Sequence, residues 1–237
     1  MITALSKGVV RWRAISADEA VIAHALHLEA IIGMPSHLVR ADTLEHFIEH
    51  TGRDGVIFAG FAEQYGMVAY GVVGLSSPTV EHMTHLLKVP AKDCARFGIL
   101  DGAASLPSWR GQGLHQALID TRIAHANSLG YSLTGVTVAP GNISSLRGLL
   151  HAQFQVRSVA TLYQGFPRLV LQRDMLAVAP QWYLLRKVEA VDVMAHQAAL
   201  KDGLTGYGFS ADDSGTVMMH YGINVNDNSK RGRRTRA

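Results

Sequence analysis

Between Ser105 and Leu118 the chain reads Ser-Leu-Pro-Ser-Trp-Arg-Gly-Gln-Gly-Leu-His-Gln-Ala-Leu. An extended run enters Pro107, glycines at 111 and 113 permit a tight turn, and a helical pattern begins at once. Strands and helices of this kind follow one another along the chain, the pattern of an α/β (α+β) fold. The two glycines let the main chain approach a ligand without Cβ clashes. The free amides at the helix start, aided by the helix dipole, then form an anion site that suits a pyrophosphate. Arg110 adds a charge-assisted donor. No Gly-Lys-Ser/Thr follows, which argues against a P-loop. Several elements precede the turn, and no acidic residue stands where a second parallel strand of a dinucleotide fold would carry one. A glycine-rich connection without any ligand remains as the other reading.

The flanking pattern supplies the rest of the domain. A strand is expected over Val9 to Ile15, then a helix opened by a Ser16/Glu19 capping box. A short helix capped by Asp42 should follow. Gly55 to Ala62 and Met67 to Leu75 read as a hairpin turned by Glu63-Gln64-Tyr65-Gly66. Pro78 to Val89 looks helical and is expected as an insertion or lid. A strand is expected over Phe97 to Leu106, a helix over Gly113 to Leu129 stopped by Gly130, a strand over Leu133 to Val138 and a helix over Ile143 to Ala152. Strands over Phe154 to Tyr163 and Arg168 to Arg173 close the unit. After about Ala177 the pattern restarts: strand, helix and two glycine-containing strands. This gives three expected regions: a domain over 1–177, a small α+β appendage over 178–225 and a disordered basic tail over 226–237. No repeat of solenoid period is visible.

Composition sets limits on function. With 237 residues and 48% hydrophobic content the chain can bury a sizeable core. No apolar run is long enough for a membrane span, and the first residues lack a signal-peptide core. The single cysteine, Cys94, excludes an internal disulfide framework and points to a reducing compartment, the cytoplasm. The chain's net charge is +3. The tail carries five basic residues against Asp227, a net +4, so the remainder sums to −1. Nucleic-acid binding by the folded body is therefore not supported.

A second signal joins the glycine turn. Asn142 follows the next strand and opens the next helix, and Phe154 re-enters a strand twelve positions later. Together these resemble the GNAT superfamily, the Gcn5-related N-acetyltransferases. That family shows Val-x-Pro-x-x-Arg-x-x-Gly-x-Gly/Ala, then a helix, a strand, an Asn and a Gly-Phe. Here the pattern reads Ser105, Pro107, Arg110, Gly113 and His115, then Asn142 and Gln153-Phe154. The resemblance covers about residues 8–175. It implies a mixed, mostly antiparallel central sheet flanked by helices, and acetyl-CoA as acyl donor. On that reading Arg110, Gly111, Gln112, Gly113, Leu114, His115 and Gln116 would meet the CoA pyrophosphate. Ala103, Ala104 and Ser105 would pair with pantetheine, and Asn142 would contact the cofactor arm. The acyl group would pass to a primary amine, on a small molecule or a peptide, by direct attack on the thioester. Family members commonly dimerise, so a homodimer is among the expectations.

Three positions depart from the pattern. His115 replaces a small residue, Gln153 replaces the glycine before Phe154, and Leu149 stands where the family often has a proton-donating tyrosine. Tyr163 is then the candidate acid, with a structural tyrosine as the other reading. Asp101, four residues before Ser105 and so on the same strand face by alternation, is the candidate base. His82 and His85 lie on the expected lid and are candidates for substrate contact. His46-Phe-Ile-Glu49-His50 matches the H-x-x-E-H pattern of inverted zinc peptidases. The helix is short and no third ligand follows in sequence, so a polar helix face without metal is expected. Two other functions stay open: a CoA-binding module without catalysis, suggested by Leu149, and an interaction role for the basic tail.

Overall fold

The computed structural model describes residues 1–5, 8–52, 54–163 and 165–226; the expected basic tail lies outside them, apart from Asn226. The elements run β1 (Ile2–Leu5), β2 (Gly8–Ala14), α1 (Ala20–Ile31), α2 (Leu44–Glu49), β3 (Gly55–Ala62), β4 (Gly66–Gly74), α3 (Pro78–Leu87) and α4 (Ala91–Cys94). Then come β5 (Phe97–Ser105), α5 (Leu114–Ser128), β6 (Leu133–Val138), α6 (Ile143–His151), β7 (Gln155–Leu162) and β8 (Phe166–Asp174). The chain ends with β9 (Trp182–Glu189), α7 (Val193–Lys201), β10 (Thr205–Ala211) and β11 (Val217–Asn224). All strands form one sheet in the order β1-β2-β3-β4-β5-β6-β8-β7-β10-β11-β9. Among the described residues, every neighbouring pair is antiparallel except β5 with β6.

Helices α1, α2 and α3 cover one face. Ala23, Leu26 and Phe47 pack there on Ile57, Tyr70 and Val72, and Val80 and Met83 pack on Phe97, Ile99 and Leu133. Helices α5, α6 and α7 cover the other face, where Ile119, Ile123, Leu146 and Leu149 meet Val73, Leu100, Val136 and Leu171. The Ser16/Glu19 capping box forms as expected. Thr43, not Asp42, caps α2; Asp42 is buried and ion-paired to Arg40. Helix α3 is present, but its buried Val80 and Met83 hold it against the sheet, so it is no lid over a cleft.

β5 carries a bulge. Gly71 faces Ala103 and Val73 faces Leu100, so Asp101 and Gly102 together oppose Val72. The extra residue shifts the side-chain alternation by one place, and the expected shared face of Asp101 and Ser105 is lost. The fully buried Arg122 of α5 fills the irregularity. Its Nη1 donates to the carbonyls of Val72 (3.2 Å) and Asp101 (3.0 Å), and its Nε to Leu118 O (3.2 Å).

The expected appendage is present, but it is a continuation of the sheet. β10 lies beside β7, and Val188, Ala199, Met219 and Tyr221 join the core of Leu149, Phe154 and Val156. β9–α7–β10–β11 also repeats the path of β6–α6–β7–β8, with the two helices and their N-caps offset by 50 residues. In both units the third strand pairs between the first and the second. Asn142 and Asp192 cap helices of 9 residues by accepting the N–H of Ser145 and Ala195. Both helices end at a residue with positive φ, Gln153 at 64° and Gly203 at 78°.

The pair Gln153/Gly203 makes a prediction. A residue with a Cβ in the left-handed region is strained, while glycine is not. Gln153→Gly should therefore raise stability by about 1 kcal/mol in chemical denaturation; a loss of stability would contradict it.

His115 makes another. It fits because Gly148 of α6 leaves room: a Cβ at 148 would meet the imidazole at 2.8 Å. Burial, with help from the Arg122 charge, pushes its pKa from 6.5 down to about 4. A histidine held neutral by the fold stabilises it fully above the unfolded value and loses that contribution as pH falls toward the folded one. Between pH 6.5 and 4 that loss is on the order of 3 kcal/mol. Denaturation of His115→Gln across this window should show a shallower pH slope than the parent chain. Equal slopes would exclude the account.

Candidate active site

β5 and β6 pair only over Phe97–Ile99 and Leu133–Gly135. Beyond that point β6 stays with β8 and β5 stays with β4, so the two parallel strands separate. Among the described residues, β5 has a strand partner along residues 100–105 only on its β4 side. The gap opens into a cleft of about 610 Å³. Its walls include Asp101, Gly102, Ala103, Ala104 and Ser105 from β5, and Val136, Thr137, Val138 and Ala139 from the other side.

The glycine turn forms the mouth of this cleft. Gly111 and Gly113 have φ of 75° and 80°, and a Cβ at either would meet nothing within 4 Å. Gly113 is the N-cap of α5. Of the first-turn amides, that of Ala117 donates to Gly113 O. Gly111, Gly113, Leu114, His115 and Gln116 line the cleft, as do Arg110 and Asn142; Gln112 does not. The turn and the start of α5 thus border the gap between the splayed strands, and a helix start is a place that favours an anionic group.

Two cofactor candidates have structural partners as well. Arg110 Nη2 donates to Ala30 O at 2.5 Å, tying the turn to the end of α1. Asn142 Oδ1 accepts from Ser145 N at 3.3 Å, while its residue still lines the cleft. Leu149 is buried in the core and carries no proton to give.

Tyr163 follows β7 with φ of 49° and lines the cleft. Its hydroxyl lies 3.5 Å from Thr137 Oγ1 on the β6 wall. The guanidiniums of Arg40 and Arg168 stand 4.8 and 5.3 Å from its ring centre. Asp101 lines the opposite wall; its Oδ1 accepts from Gly102 N at 2.9 Å, and its Oδ2 faces His46 Nε2 at 3.9 Å. His82 and His85 are not in the cleft. Both are exposed, and His85 lines a separate depression with Asp54, Glu81 and Cys94. The packing of α3 against the sheet puts them there and removes them from the candidate substrate contacts.

Other cleft residues carried no local sequence signal. His27 Nε2 takes the backbone N–H of Asp42 at 3.0 Å. Its proton must then sit on Nδ1, which donates to the Tyr70 oxygen at 2.7 Å. Burial lowers the His27 pKa and raises that of Tyr70 well above the ordinary range, so both are neutral. His27, Asp42 and Tyr70 all line the cleft. The Tyr70 hydroxyl, which already accepts from His27, keeps its own hydrogen to donate.

No protein-family model matches the sequence, and no curated protein matches it. Solved structures do. The GNAT domain of PAT from S. lividans is 16% identical, with a TM-score of 0.54 over 73% of this chain and 96% of that one. YncA of Salmonella typhimurium, a putative acetyltransferase solved with acetyl-CoA, is 12% identical, with a TM-score of 0.54 over 73% and 97%. The ribosomal-protein-S18-alanine N-acetyltransferase of Escherichia coli is 13% identical, with a TM-score of 0.52 over 73% and 99%. Among the described residues no helix is long and apolar enough to cross a membrane. The fold of this chain is that of the GNAT-domain N-acetyltransferases.

Proposed function

We propose that the chain is an acyl-CoA-dependent N-acyltransferase that moves an acetyl or short acyl group to a primary amine. One observation carries this reading: the positive-φ glycine turn at the start of α5 opens into the same cleft as the unpaired edge of β5. A diphosphate at the turn would let pantetheine extend along residues 103–105 as an added strand edge. The thioester would then lie in the gap between β5 and β6.

The chemistry follows from the residues around that gap. A neutral amine attacks the thioester carbonyl carbon, a C–N bond forms, and the tetrahedral adduct expels the thiolate. Asp101, directly or through water, takes the proton the amine loses. A donor aimed at the carbonyl oxygen stabilises the adduct. Tyr163, beside Thr137 on the β6 wall, returns a proton to the thiolate in place of the family tyrosine that Leu149 replaces. A second reading, a CoA-binding module without turnover, draws on the buried Leu149.

Titration with acetyl-CoA should give saturable binding. Gly113→Glu puts a side chain at a φ of 80° and a carboxylate at the anion site. It should weaken binding by about 100-fold; unchanged affinity would end the proposal. Across a panel of small amines and peptide N-termini, Tyr163→Phe should lower kcat by about 100-fold while acetyl-CoA affinity holds. Saturable binding without turnover of any amine would favour the second reading.

A further inference from the structure

The histidines of the H-x-x-E-H segment do not form a solvated face. His50 is only 3% exposed, and the rings of His46 and His50 lie 4.3 Å apart, centre to centre. Glu49 points to solvent, but the fold brings in another acid. One ring nitrogen from each histidine and a carboxylate oxygen of Asp101 lie within 4.8 Å of one another. Asp101 is on β5 beside the bulge, which explains why no third ligand follows in sequence.

The hydrogen bonds show that this cluster lacks a partner. His50 Nδ1 lies 2.8 Å from the carbonyl of His46. A carbonyl only accepts, so the proton sits on Nδ1, and Nε2 offers a lone pair. That Nε2 and His46 Nε2 are both buried without a hydrogen-bond partner. Buried polar atoms of this kind are rare and call for an occupant. A ligating histidine characteristically donates its other ring N–H to a backbone carbonyl, as His50 does. Burial is the main influence lowering the His46 pKa, and the neutral imidazole it favours is the form a metal requires.

We propose that His46, His50 and Asp101 form a binding site for a divalent transition-metal ion of the zinc class, with Asp101 the ligand that also lines the cleft. Two imidazoles and a carboxylate suit zinc and its neighbours, and they suit magnesium or calcium poorly. Three protein ligands with one open position are the composition of a non-structural zinc site. Ligand atoms around a tetrahedral zinc are about 3.3 Å apart. The three ligand atoms lie within 4.8 Å of one another, with 3.9 Å between His46 Nε2 and Asp101 Oδ2, so side-chain rotation must draw them together around the ion. Nearby, the Asp42 carboxylate adds negative potential, and Arg40 opposes it while paired with Asp42. An occupied site and an Asp101 free to act as base exclude one another, so the ion would slow acyl transfer. That consequence rests on the function proposed above; the metal site itself does not.

The test is equilibrium dialysis of the full, metal-free chain against zinc chloride, followed by cobalt(II) titration in the visible region. One ion per chain is expected, with the strong absorption of four-coordinate cobalt. His46→Ala and Asp101→Asn should each weaken binding by about 100-fold or more, with unchanged far-UV circular dichroism. The paired His82→Ala and His85→Ala change should leave binding intact. Absence of saturable binding, or binding that survives both His46→Ala and Asp101→Asn, would overturn the proposal. So would loss of binding in the His82/His85 variant. Neither acetyl-CoA nor an amine enters the assay, so its failure would leave the acyl-transfer reading standing.

Discussion

A strand edge inside a protein is costly unless its polar groups find partners, and the separation of β5 from β6 creates such an edge. Arg122 meets a second cost, at the bulge where β4 and β5 lose register. Its guanidinium lies in the sheet at the β5 bulge and takes the carbonyls of Val72 and Asp101. Gly71 makes room: a Cβ there would meet the Arg122 side chain at 2.9 Å. Burial lowers the Arg122 pKa to about 10, which still leaves it charged at neutral pH. With those carbonyls satisfied, the bulged stretch of β5 stays on β4 beyond the point where its pairing with β6 ends. The cleft, the anion turn and the position of Asp101 all depend on this arrangement.

The features written into neighbouring residues were the readable ones. The glycine turn, the Ser16/Glu19 box, the hairpin at Glu63–Gly66 and the cap at Asn142 depend on local backbone preference, and each appears where the sequence places it. Features that depend on distant pairing were hidden. The bulge at Asp101 is set by β4 and by Arg122, so strand alternation alone misjudged the face of Asp101. The polar face expected for His46 and His50 is closed by a carboxylate from another strand. His82 and His85 misled because an inserted helix between strands can cover a cleft or support a sheet. The apolar Val80 and Met83 on the same helix decide for the second.

The repeated βαββ path was also hidden, and for a physical reason. The two units share geometry at few points: an acidic or amide N-cap, a helix of the same length, a left-handed residue at its end and an apolar residue directly after it, Phe154 or Leu204. Many sequences satisfy those demands, so the second unit shows no sequence likeness to the first. Its placement has a clear effect. Without it, β7 would be an open edge next to the core, and such edges invite pairing with other chains. β10 and the side chains of Met219 and Tyr221 cover that edge from within the same polypeptide.

The departures from the GNAT pattern divide by location. On the cofactor side they are compensated by their immediate surroundings: His115 by the missing side chain of Gly148, and Gln153 by a backbone that holds the left-handed conformation despite its strain. The turn therefore keeps its shape with atypical residues. On the acceptor side the change is chemical. Leu149 stands where the family tyrosine would give a proton, while Tyr163, Tyr70, His27 and Asp101 line the same cleft. On the acyl-transfer reading proposed above, these groups would take over the proton handling that the missing donor leaves open. On that reading the acceptor would meet α1, the 34–42 segment and the β7–β8 side of the cleft, and the glycine turn would hold the donor.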